Sequence, residues 1–146
     1  MPKIMKRINN LARAQAVYRT RECEGGAAGE LPSHLYTFVL AVSRMPGSSQ
    51  EELATDLCLN KSTASRALSS LERDGYVRRE ASSTDRRRIL VYPTDKMLAC
   101  LDDVRRATAA WCALITEGIA EEDMRLFESV LIKMEKNART YIGGEG

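Results

Sequence analysis

The stretch from Ser49 to Tyr92 constrains this chain most, because several local signals follow one another there without a gap. Ser49 and Glu52 have capping-box spacing: the serine hydroxyl can accept a free first-turn N–H, and the glutamate can reach back to the N-cap N–H. Leu53, Ala54 and Leu57 then share one helical face. Cys58, Leu59 and Asn60 interrupt it, and Asn60 suits the N-cap of a second helix over about 61–74. Gly75 fits the left-handed residue that ends a helix. Tyr76–Glu80 and Arg88–Tyr92 read as two strands, with Ile89 and Val91 on one face, around the loop 81–87.

The second helix divides into unlike faces. Ala64, Ala67, Leu68 and Leu71 lie on one. Ser62, Arg66, Ser69 and Arg73 lie opposite, flanked by Ser65 and Ser70. Small hydroxyls and arginines let a helix sit deep in a DNA major groove and bond to base edges and phosphates, although a serine-rich solvated face would read the same way. The hairpin loop carries Asp85, Arg86 and Arg87. Such a tip can enter a minor groove, where the phosphate field is strong; an ordinary solvated hairpin is the alternative. The order of elements is that of a winged helix-turn-helix, so the expected fold is mainly α (α+β) with long helices on both sides of the wing lobe.

At these residues the chain resembles the MarR family of bacterial winged-helix transcription regulators. The likeness is carried by Leu53-Ala54, Asn60 to Arg66, Leu71 to Arg79, Asp85-Arg86-Arg87 and Thr94, and extends over roughly residues 5–141. The family's wing pattern runs Asp-x-Arg, five residues, then Leu-Thr-x-x-Gly. Asp85, Arg87 and Thr94 fall in register, whereas Pro93 stands for the leucine and Met97 for the glycine, at the passage from wing to following helix. The resemblance implies that Asp85 holds Arg87 at the wing tip. It also implies homodimerisation through the terminal helices. A further implication is response to a small aromatic or phenolic acid, for which Arg13, Tyr18, His34, Tyr36 and Trp111 are candidate pocket residues. Some family members sense oxidants through cysteine. Cys23 is the candidate here, because Arg19 and Arg21 would favour its thiolate while Glu22 and Glu24 oppose it.

The 146 residues are one domain's worth of sequence, and 44% hydrophobic with 29% charged residues is an ordinary globular balance. No apolar run approaches the ~20 residues of a membrane span, and the N-terminus has no apolar signal region, so the expectation is a cytoplasmic protein without a membrane partner. Cys23, Cys58, Cys100 and Cys112 have no C-x-x-C spacing and only His34 to help them, so neither a metal nor another cofactor is expected. Net charge is only +2, but residues 60–92 hold the eight cations Lys61, Arg66, Arg73, Arg78, Arg79, Arg86, Arg87 and Arg88 against four acids. Much of the DNA affinity is therefore expected from Arg78, Arg79 and the wing arginines.

The flanks read as long helices. Ile4, Ile8, Leu11, Gln15 and Tyr18 repeat at spacings of 4, 3, 4 and 3, as do Met97, Leu101, Val104, Thr108, Trp111 and Ile115. Phe127, Val130, Leu131, Met134, Ala138 and Tyr141 stripe a last helix, and the tail Gly143-Gly144-Glu145-Gly146 is expected to fray. Another helix is expected to start near Pro32, with Leu35, Phe38, Val39 and Val42 as its core face. The layout predicted is a single domain over 1–146, with a DNA-binding lobe at 32–93 and dimerisation helices at 3–24 and 95–142. An intrachain bundle would also use the apolar seams.

No nucleophile–histidine pair, phosphate loop or metal motif suggests an enzyme. The expectation is a homodimeric regulator, a repressor of a pseudo-palindromic operator. Lys61, Ser62, Thr63, Ser65, Arg66, Ser69, Arg73, Asp85, Arg86 and Arg87 are its candidate double-stranded DNA contacts. The competing class is a winged-helix dimer used for protein interaction, which should show apolar or acidic residues on the same helix face.

Overall fold

In the computed structural model, which describes residues 2–143, the local stop signals act where the sequence puts them. The elements are α1 (Pro2–Glu22), a 3-10 turn (Ser33–Leu35), α2 (Tyr36–Arg44), β1 (Ser48–Ser49), α3 (Gln50–Asp56), α4 (Lys61–Arg73), β2 (Val77–Ala81), β3 (Ile89–Pro93), α5 (Asp95–Thr116) and α6 (Glu121–Gly143). The predicted fraying of the tail lies outside the described residues.

Helix α3 starts on the capping box: Glu52 N–H donates to Ser49 Oγ at 3.1 Å, and Ser49 N–H donates to Glu52 Oε2 at 2.7 Å. Helix α4 starts on Asn60, whose side-chain oxygen accepts Thr63 N–H at 2.8 Å. Gly75, at φ +83°, closes α4. Helix α2 departs from expectation. After Pro32 the chain makes the 3-10 turn first, so the α-helix begins at Tyr36. Its face is as read, with Leu35, Phe38, Val39 and Val42 all buried.

The sheet is antiparallel in the order β1-β3-β2. Val77 pairs with Pro93, Arg79 with Val91 and Ala81 with Ile89, so each hairpin strand sits one residue later than the periodicity predicts. Two-residue β1 escapes sequence reading because it is too short to show alternation; it pairs Ser48 with Val91 and Ser49 with Leu90.

The chain divides into two compact units, Met1–Trp111 and Cys112–Gly146. The core of the first joins Leu53, Leu68, Leu71, Val77 and Val91 of the lobe to Met97, Cys100 and Val104 of α5. This corrects the reading of the α5 seam as chiefly an interface. Met97 and Val104 are wholly buried within the chain, and Trp111 nearly so, leaving Ile115 as its exposed end. Ile4 and Leu11 of α1 do remain exposed. In the second unit, Phe127, Val130, Leu131, Met134 and Tyr141 of α6 are exposed as well. No helix among the described residues is long and apolar enough to cross a membrane.

Candidate nucleic-acid interface

Helix α4 buries Ala64, Leu68 and Leu71, and its 3.6-residue period turns Ser62, Arg66, Ser69 and Arg73 outward. Thr63 and Ser65 lie half-buried at its edges. The wing comes alongside. Lys61 and Ser65 of α4, Gln50 and Glu51 of α3, and Arg87 and Ile89 of the wing line one open cleft of about 140 Å³. Three candidate contacts, Lys61, Ser65 and Arg87, thus converge from two elements. Gln50 and Glu51 were not anticipated; they join the cleft because α3 begins beside the wing.

The wing tip is built by local hydrogen bonds. Ser82 N–H donates to Arg88 O at 2.9 Å and Arg88 N–H to Asp85 O at 2.9 Å, closing the loop. Asp85 Oδ1 accepts the backbone N–H of Arg87 at 3.0 Å and its Nε–H at 3.4 Å. The guanidinium projects from this hold, since the Arg87 side chain is 93% exposed.

The charge tally changes once partners are visible. Arg78 pairs with Glu80 and lies 4.7 Å from the centre of the Tyr92 ring. Arg88 pairs with Glu52 at 3.1 Å, and Arg73 with Asp74 at 3.1 Å. Arg79 is turned inward. Its side chain is 20% exposed and is bound by Glu72, Gln50 and Ser69. The expectation that Arg79 supplies part of the DNA affinity is therefore corrected, while Arg78 stays exposed. Strand alternation puts Arg79 on the face of buried Val77, and Glu72 neutralises it there. Among the described residues, Lys61, Arg66 and Arg86 form no ion pair, which leaves their full charge facing outward.

Hydrogen bonding also favours the ionised form of two acids, Glu52 and Glu72. The backbone N–H of Ser49, helped by Arg88, keeps the Glu52 carboxyl below the usual carboxylate range. The Arg79 guanidinium does the same for Glu72.

The residues implied for an effector pocket are scattered. Tyr18 packs its ring against Trp111, with centroids 5.4 Å apart and planes tilted by 49°. Tyr36 belongs to the core: it is 1% exposed, its hydroxyl donates to Ala28 O at 3.4 Å, and burial pushes its pKa up. Arg13 and His34 are exposed, and among the described residues no hydrogen bond, ion pair or ring contact joins them to the other three. Cys23 is buried as well, its thiol 3.9 Å from Asp103 O; Cys58 and Cys112 are the exposed thiols. Sequence spacing cannot reveal this, because Cys23 lies beyond the last turn of α1 and is covered through tertiary packing.

A helix-turn-helix with an exposed serine and arginine face, an arginine-tipped hairpin beside it and long helices on both flanks defines a winged-helix transcription regulator, a class that is not enzymatic. Residues 36–89 match the model of the MarR family. A MarR transcriptional regulator from Methanosarcina mazei Go1 has the same fold at 26% identity, with 97% of this chain and 99% of that one covered and a TM-score of 0.82. A MarR family transcriptional regulator from Listeria monocytogenes, solved in complex with 26mer DNA, is 22% identical, with coverage of 93% and 89% and a TM-score of 0.83. The HTH-type transcriptional regulator BilQ of Clostridium symbiosum is 24% identical over 108 residues, which are 74% of this chain and 75% of that protein.

Proposed function

We propose that this regulator binds double-stranded DNA as a homodimer in the cytoplasm of a bacterial cell and acts as a repressor by occupying a pseudo-palindromic operator. The observation that carries the reading is the cleft where Lys61 and Ser65 of α4 meet Arg87 of the wing. Ser62, Ser65, Arg66 and Ser69 read base edges in the major groove, while Lys61, Thr63 and Arg73 contact backbone. Arg87, held by Asp85, enters the minor groove, with Arg86 on a nearby phosphate. The exposed apolar residues of α1 and of α6, described in their separate units, support association of two copies. A two-fold dimer spaces its recognition helices about one DNA turn apart, ~34 Å. The Listeria relative solved with 26mer DNA supports the choice of partner. A protein-interaction role is disfavoured by the α4 face, which exposes serine and arginine where such a module would carry apolar or acidic residues. Relief by a small aromatic or phenolic acid, or by an oxidant, completes the reading.

The test is selection from a random duplex pool, followed by binding isotherms at fixed salt on the enriched sequence. Arg87→Ala is expected to weaken binding to every duplex, and Arg66→Ala to relax base preference as well, each by roughly 1–3 kcal/mol. Unchanged affinity for Arg87→Ala would remove the wing from the interface.

A further inference from the structure

Arg79 makes more hydrogen bonds than any wing-tip arginine, and they tie three elements together. Its Nη1 donates to Gln50 Oε1 on α3 at 2.7 Å. Its Nη2 donates to Ser69 Oγ at 3.0 Å and to Glu72 Oε1 at 3.1 Å, both on α4, and its Nε donates to the same Glu72 oxygen at 3.3 Å. The second carboxylate oxygen, Glu72 Oε2, accepts the backbone N–H of Arg79 at 2.9 Å. That N–H lies on β2, an outer strand of the sheet, so Glu72 also satisfies part of an otherwise open strand edge.

We propose that Glu72 and Arg79 form a clamp that fixes the wing root against α4 and presents Ser69 to DNA as a hydrogen-bond donor. On this account Arg79 and Glu72 are positioning residues for sequence choice, and Arg79 is not a phosphate contact. The Ser69 oxygen accepts from the guanidinium, so the hydroxyl proton is left to point outward. A donor fixed in that orientation selects bases with acceptors in the major groove, such as N7 and O6 of guanine, over the N4 amino group of cytosine. The inference rests on the DNA-binding reading above.

The sign of one substitution separates the clamp from simple electrostatics. Glu72→Gln removes a negative charge near the DNA face, so charge alone predicts tighter binding to any duplex. The clamp predicts the opposite for the selected duplex, because the glutamine amide leaves one acceptor where Arg79 needs two. Specific affinity is expected to fall roughly 5- to 100-fold, the range of one lost base contact, while binding to a scrambled duplex holds or tightens. Arg79→Lys is expected to lose specificity like Arg79→Met, since an ammonium cannot make the forked contacts, and both should keep the wild-type salt slope. Ser69→Ala, an exposed change that does not threaten folding, should lose discrimination at one base position. A salt slope reduced by about 1 in Arg79→Met, with full rescue by Arg79→Lys, would make Arg79 a phosphate contact and overturn the clamp. So would tighter specific binding by Glu72→Gln. Failure of the wild-type protein to enrich any duplex would instead overturn the DNA-binding reading itself.

Discussion

Helices α3 and α4 end in the same way but on different residues. At the end of α3, Leu59 N–H donates to Ala54 O at 2.8 Å and Cys58 N–H to Thr55 O at 3.2 Å. At the end of α4, Tyr76 N–H donates to Leu71 O at 2.8 Å and Gly75 N–H to Glu72 O at 3.0 Å. Both are Schellman closures, which require one left-handed residue. Gly75 supplies it at φ +83°, whereas Cys58 is held at φ +53° with a side chain attached. A non-glycine residue in that region costs roughly 1–2 kcal/mol, and a glycine costs roughly 0.5–1 kcal/mol through its freer unfolded chain. Cys58 is exposed, so its truncation removes no core packing. Cys58→Gly should therefore stabilise the protein by about 0.5–1 kcal/mol. Gly75→Ala should destabilise by a similar amount. An added Cβ there meets only Lys96 Cδ at 3.8 Å, an ordinary contact, so the cost is conformational. Urea unfolding at one protein concentration under reducing conditions measures both, and melting temperatures should move by a few degrees in opposite directions. A lower midpoint for Cys58→Gly would show that the thiol holds the turn by something other than backbone conformation, and the reasoning would fail.

Lys96 Nζ donates to Asp74 O at 2.7 Å and lies 4.4 Å from the centre of the Tyr76 ring. Lys96→Met should keep the stem packing but free the carbonyl of Asp74, which caps α4, so amide exchange at Gly75 and Tyr76 should quicken while that at Leu68 does not. Leu68 is wholly buried under α4, and Leu68→Ala should cost about 2–5 kcal/mol in urea unfolding. The carboxyls of Glu52, Glu72 and Asp103 are all held below their ordinary values, the last chiefly by Ala28 N–H and then by Arg106. A lowered folded pKa contributes stability that is complete above the unfolded value and is lost as pH falls through the folded one. Unfolding free energy should accordingly decline from about pH 5 downward, and Glu72→Gln should flatten part of that slope.

The sequence by itself determined the features that depend on neighbours a few residues away. The capping box at Ser49, the Asn60 cap, the Gly75 stop and the two faces of α4 are local hydrogen bonds and a 3.6-residue period, so spacing alone carries them. The Asp85–Arg87 hold is equally local, two residues apart on one loop. Tertiary structure decided whatever depends on partners far along the chain. Arg79 looks like one more cation until Gln50, 29 residues away, and Glu72 turn it into an internal tie. The α5 seam looks like an interface until the lobe core covers Met97 and Val104. Cys23 looks accessible until α5 brings Asp103 beside it, 80 residues on. A charge or an apolar side chain in a sequence has no direction relative to distant elements. Packing supplies that direction, and with it the difference between a contact for DNA and a contact for the protein itself.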